Sequence, residues 1–111
     1  KEDAPIHKAF LNSQEGDTYL TLKELAPVRL IRNKFFNEVQ NAYTNCATTD
    51  DLKELLGRAR AKRGMFEGDL DEGELEIGQI AGLINVIKPV SEVMNEIITD
   101  FKESVNTKFN F

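Results

Sequence analysis

Four cations fall within six residues at Arg58, Arg60, Lys62 and Arg63, and six carboxylates come next between Glu67 and Glu76. Guanidinium forks match phosphate oxygens, so the basic run taken alone is phosphate-binding chemistry. The carboxylates beside it compete with any polyanion. The pair of runs therefore reads first as a solvated surface of intramolecular ion pairs, each worth about 0–1 kcal/mol where exposed, and second as an anchor against another domain. The acidic run also hints at a calcium loop from Asp69 onward. An EF-hand, however, needs an oxygen ligand where Gly73 stands and a bidentate Glu where Ile80 stands, so the run defines no metal site.

The remaining reactive side chains are few. His7 is the single imidazole, and no residue pattern gives it a nucleophile partner; it reads as structural or exposed. Cys46 closes an apolar stripe and is expected to be a buried small hydrophobe rather than a reactive thiol. Gly64 with Gly68, and Gly78 with Gly82, have spacings that permit close backbone packing. Neither pair makes a GxGxxG or Walker loop, so the glycines alone define no nucleotide site.

With 111 residues, 41% hydrophobic and 30% charged, the chain fits one small ordered domain with a modest core. The net charge of −5 argues against a primary nucleic-acid role, which draws on excess Lys and Arg. One cysteine permits no intramolecular disulfide, and a reducing, cytoplasmic compartment is the default expectation. No apolar run approaches the ~18 residues of a membrane span, and the first residues do not open a secretory signal. A start at Lys1, with neither Met nor tag, is consistent with a fragment or a processed product.

The elements that must position these residues are mostly helical. Pro5 to Ser13 places Ile6, Ala9 and Phe10 at helical spacing. Thr18 to Lys23 alternates, which predicts a short strand or extended arm with Leu20 and Leu22 on one side and Tyr19 and Thr21 on the other. Pro27 marks a boundary. From about Asn33, Phe35, Phe36, Val39, Ala42, Tyr43 and Cys46 form the apolar stripe of a core helix. Thr48 and Asp51 make a capping box for a second helix carrying Leu52, Leu55 and Leu56, with Gly57 at its end. Short helical pieces and turns are expected between Gly64 and Gly78. Ile77, Ile80, Ala81, Leu83, Ile84 and Ile87 predict an apolar helix, ended by Pro89. A last helix from about Val90 repeats Val90, Val93, Ile97, Phe101 and Val105.

Three segments, TLKELAPVRLIRNKFF over Thr21–Phe36, LLGRARAKRGMFEGD over Leu55–Asp69 and IGQIAGLI over Ile77–Ile84, occur in this order. Together they resemble the C-terminal region of FMN-dependent enzymes of the nitronate monooxygenase family, formerly called 2-nitropropane dioxygenases. Relatives of that family include a flavin-dependent enoyl-ACP reductase. KEDAPIH over Lys1–His7 is similar to the segment just after the last barrel strand in those proteins, so the likeness covers nearly the whole chain.

The resemblance implies an FMN-binding (β/α)8 barrel carrying an additional helical region. Such a barrel needs about 250 residues, so the chain can hold only the appended part. The Gly-Thr-Arg-type turn that holds the flavin phosphate and the catalytic histidine lie upstream in the family, and His7 does not correspond to that histidine. The resemblance assigns residues 1–16 to a remnant after the last barrel strand and 17–111 to a C-terminal helical subdomain. It also nominates Gly78 and Gln79 as cofactor-facing: glycine permits close approach, and a primary amide both donates and accepts. The fold expected is thus mostly α with one short strand or arm. No catalytic residue is expected in the chain, which is silent alone; its partner is the FMN barrel, or a second copy through exposed apolar stripes. Two alternatives stand beside this reading: a parent that is a flavin-dependent enoyl-ACP reductase, and a stand-alone helical interaction module.

Overall fold

The computed structural model describes residues 5–107; the first four residues of the segment assigned to a barrel remnant lie outside them. Helix α1 spans Pro5–Asn12, strands β1 and β2 span Thr18–Thr21 and Val28–Ile31, α2 spans Lys34–Thr44 and α3 spans Thr49–Leu56. Helix α4 is Arg60–Met65, a 3-10 turn covers Gln79–Leu83, and α5 runs from Val90 to Asn106. The molecule is mostly helical with one small sheet, as expected.

The sheet is an antiparallel hairpin in which Thr18 faces Ile31 and Thr21 faces Val28. Strand β2, which the sequence reading does not place, is its centre: Leu30 also bridges Glu76, Ile31 N donates to Leu75 O at 3.1 Å and Ile77 N donates to Arg29 O at 2.9 Å. The alternation expected of β1 fails at its end. Leu20 is exposed while Thr21 and Leu22 are both buried, because Leu22 takes a left-handed backbone with φ of 52°. That conformation costs about 1–2 kcal/mol, and full burial of the leucine side chain returns about 1.5–3 kcal/mol.

Helix α2 starts at Asn33, whose side chain accepts from Phe36 N at 2.9 Å. Its Phe35, Phe36 and Val39 are buried and form the core with Leu22, Leu30 and Leu52. The stripe stops short of Cys46, which is exposed, against expectation: the helix has ended at Thr44 and Cys46 sits at φ of 56°, turned out of the helical path. Helix α3 carries the expected capping box, with Thr48 N donating to Asp51 Oδ2 at 2.7 Å and Asp51 N donating to Thr48 Oγ1 at 3.3 Å. It ends at Gly57, where φ is 62°.

The predicted helix over Ile77–Ile87 is instead the short 3-10 turn, with irregular chain from there to Pro89. Only Ala81 is buried there, while Ile80, Leu83, Ile84, Val86 and Ile87 are exposed. Gly78, Gly82 and Asn85 lower helical preference within the run, and no neighbouring face offsets the loss. Helix α5 forms where expected but buries none of its residues. The radius of gyration is 17.7 Å, well above the ~13 Å of a compact domain of this length, because α5 stands off the body. Among the described residues no helix is long and apolar enough to cross a membrane.

Candidate functional site

The acidic turn after α4 is built by short-range hydrogen bonding. Asp69 Oδ1 accepts from Glu72 N at 2.9 Å, and this bond, seconded by the Arg63 guanidinium, holds the Asp69 carboxyl below the usual range against the opposing effect of burial. Arg63 Nη2 pairs with Asp69 Oδ2 at 2.5 Å, Lys62 with Glu67 at 3.5 Å, and Lys34 with Glu72. Arg60 does more. Its Nε donates to Leu55 O and Leu56 O, its Nη1 donates to Glu72 O at 2.9 Å, and its guanidinium lies 4.5 Å from the Phe35 ring centre. It thereby closes the C-terminus of α3 and ties that end to the acidic turn. Of the basic cluster, only Arg58 has no ion pair among the described residues. The ion-pair reading of this run therefore holds for three of its four cations.

Asn33, whose role here sequence reasoning missed, organises this turn together with a contact between Gly64 and Gly73. Asn33 Nδ2 donates to Leu70 O at 3.0 Å and Gly73 O at 2.8 Å, while its Oδ1 caps α2. The N-cap position was its visible signal; the carbonyls it captures lie about 40 residues away. Gly64 makes the close backbone packing its spacing permits, on Gly73. A Cβ at Gly73 would overlap the Gly64 backbone, and one at Gly64 would sit 2.7 Å from Leu75 Cδ2. Next to them Glu74 is buried, and burial, seconded by Glu76, pushes its carboxyl above the usual glutamate range.

The two cofactor-facing candidates lie elsewhere. Gly78 is exposed, with nothing within 4 Å of where a Cβ would stand. Gln79 is exposed at the start of the 3-10 turn and lines an open cleft of about 500 Å³ between that turn, the α1–β1 turn and β2. The cleft is possible because Gly82 lets the 3-10 turn abut the preceding loop: a Cβ there would be 2.8 Å from the Gln14 carbonyl carbon. Its floor holds Arg29, whose Nη1 donates to Thr18 O at 3.0 Å and Thr18 Oγ1 at 3.2 Å. Ile80 and Leu83 form an apolar wall and Glu15 is also in the lining.

His7 is exposed on α1 and is not among the groups lining the cleft. Cys46, just beyond the end of α2, is likewise outside it. Among the described residues no three His, Cys, Asp or Glu side chains converge as a metal would require. The arrangement can hold a small polar or anionic group beside an apolar one. It places no nucleophile and base together.

No protein-family model matches the chain, and no curated protein matches it. Solved structures do, and this chain shares its fold and part of its sequence with one segment of a larger protein. That protein is FabK from Thermotoga maritima, similar at 32% identity with a TM-score of 0.75 over 94% of this chain and 33% of that one. A point mutant of the same protein is similar at 30% identity with a TM-score of 0.72, over 93% of this chain and 30% of that one. The chain spans about a third of the length of the structures it matches.

Proposed function

We propose that this chain is the C-terminal helical subdomain of an FMN-dependent oxidoreductase of the nitronate monooxygenase and flavin enoyl-ACP reductase kind, catalytically silent without its barrel. The observation that carries the reading is the likeness to FabK, which takes in nearly all of this chain and about a third of FabK. The exposed apolar face of α5 supports it: residues Val90, Val93, Met94, Ile97, Ile98, Phe101 and Val105 are 40% to 78% exposed, a face that a barrel would cover. A second copy of the chain is the other occupant that such a face admits.

The residues present fit at most one edge of an FMN site. Three of the four clustered cations are spent on neighbouring carboxylates, and the cleft beside Gln79 offers one guanidinium with Glu15 also in its lining. When bound to the whole enzyme, FMN supplies hydride chemistry. The contribution of this chain is then to pack on the barrel and present Gln79 and its cleft to one side of it. The substrate, a nitronate or an enoyl thioester, is set by the barrel.

The test is a flavin titration of the purified chain beside the polypeptide extended upstream by a barrel's length. The reading expects no fluorescence quenching by the chain at micromolar FMN and a one-to-one yellow complex from the extended protein. Assays with a nitronate and with an enoyl thioester plus a nicotinamide donor then assign the substrate. Saturable binding of FMN by the 111-residue chain, or an extended protein that holds no flavin, overturns it.

A further inference from the structure

Arg29 stands apart among the cations. Arg60, Arg63 and Lys88 are the other cations that are partly buried, and each has a carboxylate partner at 3.6 Å or closer. The remaining cations without an ion pair among the described residues, Lys8, Lys23, Arg32, Arg58 and Lys102, are exposed to water. Arg29 is half-buried, has no carboxylate within ion-pair reach among the described residues, and uses only Nη1, on Thr18. Its Nε and Nη2 hydrogens have no acceptor in the described chain. Those N–H groups are not buried, so they are open to an incoming acceptor, and the guanidinium lines the cleft of about 500 Å³.

The walls of that cleft limit what can complete it. Gln79 adds an amide to the lining, and Ile80 and Leu83, 63% and 72% exposed, add apolar surface. Their exposed area gains from contact with hydrocarbon. Gly16, at φ of 89° and with open space where a Cβ would be, leaves the loop side unobstructed.

We propose that this cleft binds an oxyanion carried on a short apolar chain, with the Arg29 guanidinium as the anion anchor, Gln79 as a second polar contact and Ile80 and Leu83 against the hydrocarbon. Arginine suits a phosphoryl or carboxylate oxygen pair because its free N–H groups form a planar fork. Glu15 in the lining opposes the ligand charge and sets the affinity low. The proposal concerns the chain as it stands and does not depend on the flavin reading, so the two fail separately.

The experiment is amide NMR of the 111-residue chain titrated with hexyl phosphate, inorganic phosphate and hexanol in parallel. Hexyl phosphate is expected to shift the Gly16, Gln79 and Gly82 amides saturably in the millimolar range, inorganic phosphate to shift the same amides more weakly, and hexanol to leave them unmoved. Arg29→Gln should weaken hexyl phosphate about tenfold or more, the usual weight of a charge-assisted hydrogen bond, and Glu15→Gln should strengthen it. Because Arg29 also braces Thr18, Ile80→Glu serves as the variant that leaves the fold intact; it places a carboxylate on the exposed wall and should weaken hexyl phosphate by a similar factor. Equal binding by wild type and Ile80→Glu, hexanol acting as well as hexyl phosphate, or no saturable shift at tens of millimolar overturns the proposal.

Discussion

Replacing Asn33 with alanine tests whether one side chain joins the start of α2 to the acidic turn. Its Oδ1 caps the helix and its Nδ2 donates to Leu70 O and Gly73 O. Loss of an N-cap costs about 1 kcal/mol, and each donated bond contributes about 1 kcal/mol net in a half-buried setting. Asn33→Ala should therefore destabilise the chain by about 3 kcal/mol. For a domain of this size that is a fall of about 15 °C in melting temperature. Asn33→Ser keeps a capping oxygen but cannot reach the two carbonyls, so it should lose about 2 kcal/mol. Urea unfolding monitored by far-UV circular dichroism gives both values, with an unchanged m-value showing that the native state is still compact. The ordering Asn above Ser above Ala is the signature. If serine and alanine are equal, the cap contributes nothing; if both stay within about 0.5 kcal/mol of wild type, the link between α2 and the turn carries no stability and the reasoning is wrong.

Two further outcomes rest on buried charge and on the unburied helix. Burial raises the Glu74 carboxyl, so its contribution to stability is fully present below the unfolded glutamate value and is lost as pH rises through the folded one; Glu74→Gln should melt higher than wild type at pH 7 and match it near pH 3.5, and an equal difference at both pH values would remove burial as the cause. Because α5 buries none of its residues, a chain ended after Lys88 should keep the urea midpoint of the full chain while losing any concentration-dependent association seen by light scattering; a large drop in the midpoint would show that α5 packs on the body.

What the sequence made legible was what depends on near neighbours. The apolar stripe of α2 from Phe35 to Val39, the box formed by Thr48 and Asp51, and the stop at Gly57 are contacts within a few residues, and the structure keeps them; Pro89 instead precedes α5 and ends no helix. What stayed hidden depends on residues far apart in the chain. Four residues, Val28–Ile31, are too short a run to announce a strand, yet they form the middle of the sheet because β1 lies on one side and Glu76 on the other. The glycine spacings pointed to close backbone packing at Gly64 and Gly82 without naming what packs there. The close contact is between Gly64 and Gly73, brought together by the turn at Asp69. Cys46 kept helical spacing in the sequence but lies past the last turn, where backbone direction and not periodicity decides exposure. For the candidate site, Gln79 was reachable only through the family likeness, and Arg29 was hidden inside the unpredicted strand.

The most strongly apolar stretches of the sequence, Ile77–Ile87 and the stripe of α5, are also the least buried in the structure. The body of the molecule closes its main core with Leu22, Leu30, Phe35, Phe36, Val39 and Leu52, and of these two stretches it buries only Ala81. Most helical stability in proteins comes from packing an amphipathic face, since isolated helices of this length are marginal in water. Among the described residues nothing covers the apolar stripe of this 17-residue helix, and on the proposed reading a surface outside them does. A barrel in the same polypeptide would cover it at a fixed effective concentration, so dilution would leave it covered. A second copy would release it on dilution, with stability that depends on protein concentration. On the proposed reading the apolar pattern of Ile77–Ile87 has the same cause, since a periodicity without its partner cannot fix the local backbone.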